Sequence, residues 1–346
     1  MTQKFTMLPE WAEQEAVMLA WPHQFTDWKP WLAAIEGDYV ELTLAIATEV
    51  TPLILCKDAA HQASIESQLQ QRCTHPPRIV IAPYNDTWCR DYGPVTLAAL
   101  GKLQMLDFQF NGWGEKYDAT LDNHINQHLQ KHWQAPLLTI NYQLEGGSIE
   151  TDGSGTLLTT THCLLDSNRN QDFSPTQVEK FVLDKLGLNR ILWLTSGMLI
   201  GDDTDSHIDN LVRFCDAQTL AYASCSRPDD PHFAPLLAME IEVKALRQAN
   251  GEPYRLHAIE IPAAQFDEQG KRLPGSYVNF LLVNNSVLVP VFGCTQDAAA
   301  LVGLQHCFPD KKLLTVPGGN LIKQFGGPHC ATMQLPKGSL KHAISG

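Results

Sequence analysis

RIVIAPYNDTWCRDYGP, residues 78–94, joins two kinds of sequence. Its first half is apolar and β-branched and reads as a strand; its second half, with Asn, two Asp, Gly and Pro, reads as a loop. A helix-like run precedes it and ends near Arg72. The same order returns further along the chain. Helix-like runs end near Trp133, Gly187, Asn250 and Phe308, and LLTINYQLEG, NRILWLTSG, YRLHAIEIP and KKLLTVPGG follow them as strands. Beyond these strands lie loops rich in Gly, Asp or Asn: EGGSIETDGSG, GDDTDSHIDN, GSYVN and FGGPHC. One more helix and strand, near residues 31–50 and TPLILC, precede the series. Units of about sixty residues predict an α/β chain built by repeating one supersecondary motif. If the repetition is radial, five loops converge on one axis, and residues far apart in sequence meet there. An ordinary α/β protein also alternates helix and strand, so the pattern by itself leaves both arrangements open.

The 346 residues are 44% hydrophobic and 18% charged, a globular composition that can fill a large core. No run of about eighteen apolar residues occurs, so no membrane-spanning helix is expected. The start, MTQKFTMLPEWAEQE, has no apolar signal core, so no export is expected. Nine scattered cysteines without a CxxC pair argue against a disulfide framework and a structural zinc site, and fit the reduced cytoplasm. The net charge of −13 disfavours nucleic acid and anionic membranes as partners and favours a small cation. A homodimer is entertained as the assembly.

GDDTDSHIDN, residues 201–210, holds four carboxylates and a histidine with no basic residue. On a strand, Asp203, Asp205, His207 and Asp209 would share one face. Such a loop reads first as a turn or cap, then as a cation pocket, and last as a metal site, because it lacks HExxH and EF-hand spacing. Other loops add chemistry. WCRDYGP carries Asp91, LEGGSIETDG carries Glu145 before a glycine pair that lets a backbone approach a ligand closely, and GGPHC ends in Cys330. Taken singly, each has an ordinary explanation: a surface ion pair, a tight turn, a buried small apolar residue. Together, a cysteine and a histidine among carboxylates have the makeup of an activated thiol nucleophile. Trp113, between Gly112 and Gly114, is a candidate lid, and Trp88 and Asp203 are further candidate substrate contacts.

WCRDYGP, LEGGSIETDGSGTLLTT, DDTDSHIDNLVRF, YVNFLLVNNSVLVPVFG and GGPHCATMQ, in that order, resemble the family of agmatine deiminases and bacterial, Porphyromonas-type peptidylarginine deiminases. LPEWAEQEAVMLAWPH resembles that family's N-terminal signature, and the likeness runs from about Leu8 to Gln334. The resemblance implies a five-bladed α/β propeller (the pentein fold) with its active site on the pseudo-five-fold axis, here one catalytic domain over residues 1–346. It implies Cys330 as nucleophile, His207 as general acid/base, Asp91 and Asp209 as holders of the guanidinium, and Glu145 as the hydrogen-bond partner that orients His207. It implies agmatine as substrate, N-carbamoylputrescine and ammonia as products, and neither metal nor organic cofactor. Another guanidine, such as peptidyl-arginine, is the alternative within the class. A metal-dependent hydrolase on Asp203, Asp205, His207 and Asp209, or a guanidine-binding protein without activity, are the alternatives outside it. The chain departs from the family at Ser206 (commonly glycine), Glu150 (commonly histidine), Met333 (commonly glutamine) and the short glycine run before Cys330.

Overall fold

The computed structural model describes residues 4–341. Its strands form five separate sheets. Val95–Ala99 and Lys102–Gln109 make an antiparallel hairpin, and Leu137–Gln143 then returns parallel to the second arm. The pattern repeats with Glu150–Thr151, Thr156–Thr160 and Arg190–Leu194, with Val212–Asp216, Thr219–Ser224 and Arg255–Glu260, and with Leu281–Val283, Ser286–Val291 and Lys312–Pro317. The remaining sheet joins the two ends of the described chain. Thr332–Pro336 pairs antiparallel with Gln14–Ala20, which continues parallel into Thr51–Cys56 and Arg78–Ile81. A parallel return needs a crossover, and helices Leu32–Ile46, Ala59–Leu69, Pro175–Leu186, Phe233–Ala245 and Gln296–Cys307 supply it.

The strands expected from RIVIAPY, LLTINYQLEG, NRILWLTSG, YRLHAIEIP and KKLLTVPGG all form, each at an edge of its sheet. Helix stops are equally local: Gly187 closes Pro175–Leu186 at φ 68°, a conformation glycine adopts without a Cβ penalty. The helix expected to end near Trp133 is broken into short turns, Asp122–His124, Ile125–His128 and Gln130–His132. Asn and His have weak helix propensity, and here Asn123 accepts from the Phe110 amide while Asn126 donates to Asp107.

Three apolar clusters fill the spaces between sheets and helices. Strand Gln14–Ala20 is buried almost throughout, which fits its place between two neighbours. Each sheet's first strand is entered from a loop that carries polar residues: 88–94, 144–149, 201–211, 275–280 and 326–331. These loops bond to one another. The Arg90 amide donates to the Cys330 carbonyl (3.1 Å), Gly147 N to Asp91 Oδ1 (2.9 Å), Ser276 Oγ to the Asn210 carbonyl (2.8 Å) and His329 N to Asn279 Oδ1 (3.1 Å). Residues from all five sheets therefore share one polar centre. Among the described residues, no helix is long and apolar enough to cross a membrane.

Candidate active site

Gly147 marks the point of convergence. A Cβ built on it would lie 2.7 Å from His207 Nδ1, 2.9 Å from Asp91 Oδ1 and 3.0 Å from Asp209 Oδ2. Only a residue without a side chain lets these three groups approach, which explains the second glycine of LEGGSI. Asp91 sits in the short helix Cys89–Tyr92, and Asp209 in the 3-10 turn Ile208–Asn210 just after His207. Both carboxylates and the imidazole are buried.

Asp91 accepts from the Gly147 amide at Oδ1 and from the Trp113 indole at Oδ2, each at 2.9 Å. Burial raises its pKa to about 6, helped by the nearby Asp209 and Glu145 charges and opposed by His207. Asp209 Oδ2 contacts His329 Nδ1 at 2.8 Å, while Asn210 Nδ2 donates to Oδ1 at 3.1 Å. Burial would raise the Asp209 carboxyl, but His329 outweighs it and holds the group below its ordinary range.

Cys330 is buried at the end of the 326–330 loop. Its thiol donates to Asp209 Oδ2 (3.4 Å), and Asn279 Nδ2 donates to the sulfur (3.1 Å). Burial, then Asp209 and Asp91, push this thiol well above its ordinary value. His207 lies 3.6 Å from Asp91 through Nδ1 and 3.7 Å from Glu145 through Nε2, and neither ring nitrogen has a hydrogen-bond partner. Burial would lower its pKa; Asp91, Cys163 and Glu145 more than reverse this, so the ring is charged at neutral pH. The centre thus favours a protonated thiol at Cys330 and a charged ring at His207.

Three expectations are corrected. Residues 201–207 form no strand: Asp205 and Ser206 take φ 64° and 65°, so the side chains of Asp203, Asp205, His207 and Asp209 do not line one face. The left-handed backbone at Ser206 is one that glycine adopts without a Cβ penalty. Asp205 instead pairs with Arg169 (2.8 Å) and Lys116 (2.9 Å), and Asp203 accepts from the Tyr117 hydroxyl (2.5 Å). Second, Glu145 lies beside His207 but too far for a hydrogen bond; both its oxygens accept from Arg169 Nε at 2.8 and 2.9 Å. Burial would raise Glu145, yet Arg169 and His207 bring it down to about 2. Third, the four loop residues assemble no common ligand set. Metal-compatible groupings among the described residues are Glu145, Cys163, His207 and Glu10, Glu150, His329, whose carboxylates are engaged by Arg169 and Arg213 respectively.

A narrow pocket, open at its mouth, leads to Cys330. Its lining includes Asp86, Trp88, Asp91, Trp113, Tyr117 and Asp203 and contains no Lys or Arg. Trp88 lies so close to Gly326 that a Cβ there would fall 2.3 Å from the indole, so this glycine admits the aromatic wall. Trp113 reaches Asp91 from a loop in which Gly112, Trp113, Gly114 and Glu115 all have positive φ. Such conformations in non-glycine residues cost of order 1–3 kcal/mol each and persist where surrounding structure holds them.

Trp88, Trp113, Asp91, Asp203 and Cys330 therefore line one pocket, with His207, Asp209 and Glu145 gathered behind it. Asn279, Arg169 and His329 were not singled out from the sequence. Asn279 had a signal, since it lies in the GSYVN loop at the position matching the other four loops. His329 lay inside GGPHC. Arg169, in SNRN, had none.

Comparison with known proteins agrees with this arrangement. The profile of the Porphyromonas-type peptidyl-arginine deiminase family matches residues 6–336. An agmatine deiminase of Pseudomonas syringae pv. tomato is 31% identical, covering 96% of this chain and 95% of its own length. Among solved structures, the C. jejuni agmatine deiminase, as a cysteine-to-serine variant with substrate bound, superposes with a TM-score of 0.90 at 34% identity over 97% of both chains. A Porphyromonas gingivalis protein, provisionally named an arginine deiminase, superposes at 0.91 with 41% identity, over 98% of this chain and 100% of its own. With a family match over almost its whole length, and a centre of thiol, imidazole and paired carboxylates, this chain belongs to the Porphyromonas-type peptidyl-arginine deiminase family.

Proposed function

We propose that the protein is an agmatine deiminase, hydrolysing agmatine to N-carbamoylputrescine and ammonia through an amidino-thioether on Cys330. The observation that carries this reading is the convergence of Asp91, Asp209 and His207 on Gly147, with the Cys330 thiol bonded to Asp209. A guanidinium is planar and presents paired N–H donors, which carboxylates on either side can accept. Asp91 and Asp209 would hold it so that its carbon faces the sulfur. The same two charges keep the thiol protonated, so a bound cation that neutralises them lowers the thiol pKa.

The thiolate then attacks the guanidinium carbon, forming the C–S bond. Imidazolium at His207 gives its proton to the departing nitrogen, the C–N bond breaks, and ammonia leaves with the bonding pair. Neutral His207 next takes a proton from water as the oxygen attacks the same carbon; the C–S bond breaks and the thiolate returns. Glu145, anchored by Arg169, stabilises the charged His207 without bonding to it. Asn279 donates to the sulfur and helps retain its negative charge.

Agmatine is favoured over arginine by the pocket lining. The lining carries three carboxylates and no Lys or Arg, so a distal ammonium finds acceptors at Asp86 or at Asp203, which Lys116 approaches to 3.6 Å, whereas an α-carboxylate finds no cation in the lining. The loops leading into five sheets support the propeller with pseudo-five-fold symmetry, and the single domain over residues 1–346, as our reading of the architecture. Nine free thiols fit a reducing cytoplasm.

The test is ammonia release measured with agmatine, L-arginine and arginyl peptides. Agmatine should lead in kcat/KM by roughly a hundredfold, equivalent to about 2.7 kcal/mol. Faster turnover of an arginyl peptide would overturn the substrate assignment and leave the chemistry standing.

A further inference from the structure

His329, the residue before the nucleophile, has both ring nitrogens against carboxylates although it is 1% exposed. Nδ1 lies 2.8 Å from Asp209 Oδ2, and Nε2 lies 2.6 Å from Glu10 Oε1. Glu10 comes from the opposite end of the chain, in the LPEW stretch, and is itself clamped. Arg90 Nη1 lies 3.3 Å from its Oε1, Gln334 Nε2 donates to Oε2 at 3.1 Å, and Arg213 pairs with Oε2. Arg213 in turn pairs with Glu150. The whole array is fixed by contacts from the N-terminal segment and from four of the five polar loops or the strands that follow them.

Burial, then Arg213 and Arg90, pull the imidazole below its ordinary value, against Glu10 and Asp209, which favour its charged form. Glu10 resists burial through Arg213, His329 and Arg90 and stays well below its ordinary range, as Asp209 does. With both carboxylates ionised, two attractive contacts require an N–H on each nitrogen. These two contacts call for imidazolium at His329, against the neutral form that burial and the two arginines favour.

We propose that His329, clamped by Glu10, is a positioning residue that holds Asp209 in the orientation needed by both the substrate guanidinium and Cys330. Asp209 Oδ2 is the shared atom: it receives His329 Nδ1 and the Cys330 thiol. Removing the imidazole leaves that oxygen with the thiol alone, while Oδ1 keeps its bond to Asn210. The carboxylate can then rotate, and its charge stands uncompensated beside the sulfur. The N-terminal Glu10 thus acts on the nucleophile through two intervening side chains. This inference rests on the deiminase reading for its kinetic consequence, but not for its electrostatic one.

Full-length His329→Gln, Glu10→Gln and the double variant test it. Agmatine turnover, peptide-mapped iodoacetamide alkylation of Cys330 against pH without substrate, and thermal melting are measured on each. His329→Gln should lower kcat/KM about a hundredfold, the scale of a small misplacement of a reacting group. It should also move the Cys330 alkylation midpoint to higher pH, because the Asp209 charge beside the sulfur is no longer offset by the His329 ring. Glu10→Gln should move both quantities the same way by less, and the double variant should be no worse than His329→Gln, since both act through Asp209. A purely structural histidine would lower the melting temperature without shifting the alkylation midpoint. A folded His329→Gln protein with an unmoved midpoint and wild-type kcat/KM overturns the proposal. If His329→Gln does not fold, wild-type values in Glu10→Gln overturn it instead. Absence of ammonia release from agmatine by the wild type defeats the function assignment, while the alkylation midpoint still decides the role of His329.

Discussion

Asp91→Asn separates what the centre needs for catalysis from what it costs the fold. The carboxylate is buried and its pKa rises from 3.8 to about 6, which at 1.36 kcal/mol per unit makes its charge at neutral pH cost about 3 kcal/mol of stability. Between those two values the folded protein keeps a proton that the unfolded chain has released. Stability from this group is therefore present at low pH, declines as pH rises through that window, and is fully lost above about 6. Asparagine removes this cost but introduces another. Both Asp91 oxygens face donors, Gly147 N–H and Trp113 Nε1–H, so the new amide turns its NH₂ toward one of them. The donor left without an acceptor costs about 1–3 kcal/mol, and the two effects nearly cancel. The melting temperature at neutral pH should change little, and the wild type's loss of stability between pH 4 and 6 should be smaller in the variant. Catalysis should behave differently: loss of one charge-assisted partner of a buried cation costs about 2–5 kcal/mol, a fall of roughly 30-fold to several thousandfold in kcat/KM. Steady-state ammonia release and scanning calorimetry at pH 4, 6 and 7.5 measure both. A kcat/KM within about threefold of wild type would refute the assignment of Asp91 to the guanidinium, and identical pH dependence of stability in the two proteins would refute the account of its charge.

Cys330→Ser should release no ammonia yet bind agmatine by calorimetry; turnover near the wild-type rate would remove the thiol from the mechanism. Iodoacetamide should modify wild-type Cys330 slowly at pH 7 and faster as pH rises, because burial and the Asp209 and Asp91 charges keep the thiol protonated. His207→Gln should stop turnover, and mass spectrometry of quenched mixtures should detect the amidino adduct on Cys330 in the wild type. Since His207 is charged well above its ordinary range, kcat should hold through neutral pH and fall on the alkaline side as the Cys330–His207 pair titrates. Arg169→Met leaves Glu145 buried without its cation and should cost about 3–5 kcal/mol, read as a large drop in urea midpoint. A midpoint within experimental error of wild type would show that Glu145 is protonated or otherwise compensated.

Much of this protein was legible in the order of its residues. The apolar β-branched runs became strands where they stand, because alternation and branching act over a few residues and need no distant partner. The glycine at 187 stopped its helix for the same local reason. The five polar loops were visible as loops, and their order carried the family resemblance that picked out Asp91, Glu145, His207, Asp209 and Cys330. What each loop residue touches was a tertiary matter. Asp203, Asp205, His207 and Asp209 alternate in sequence as if on a strand, but positive φ at Asp205 and Ser206 and the pull of Lys116 and Arg169 send them to different partners. Glu145 adjoins His207, yet Arg169 takes its hydrogen bonds. Asn279 reaches a thiol 51 positions away, and Glu10 meets His329 across 319. Backbone preference is set by neighbours along the chain, whereas charge compensation in a buried centre is set by distance in space, and only the packing of five sheets decides which charges come within reach.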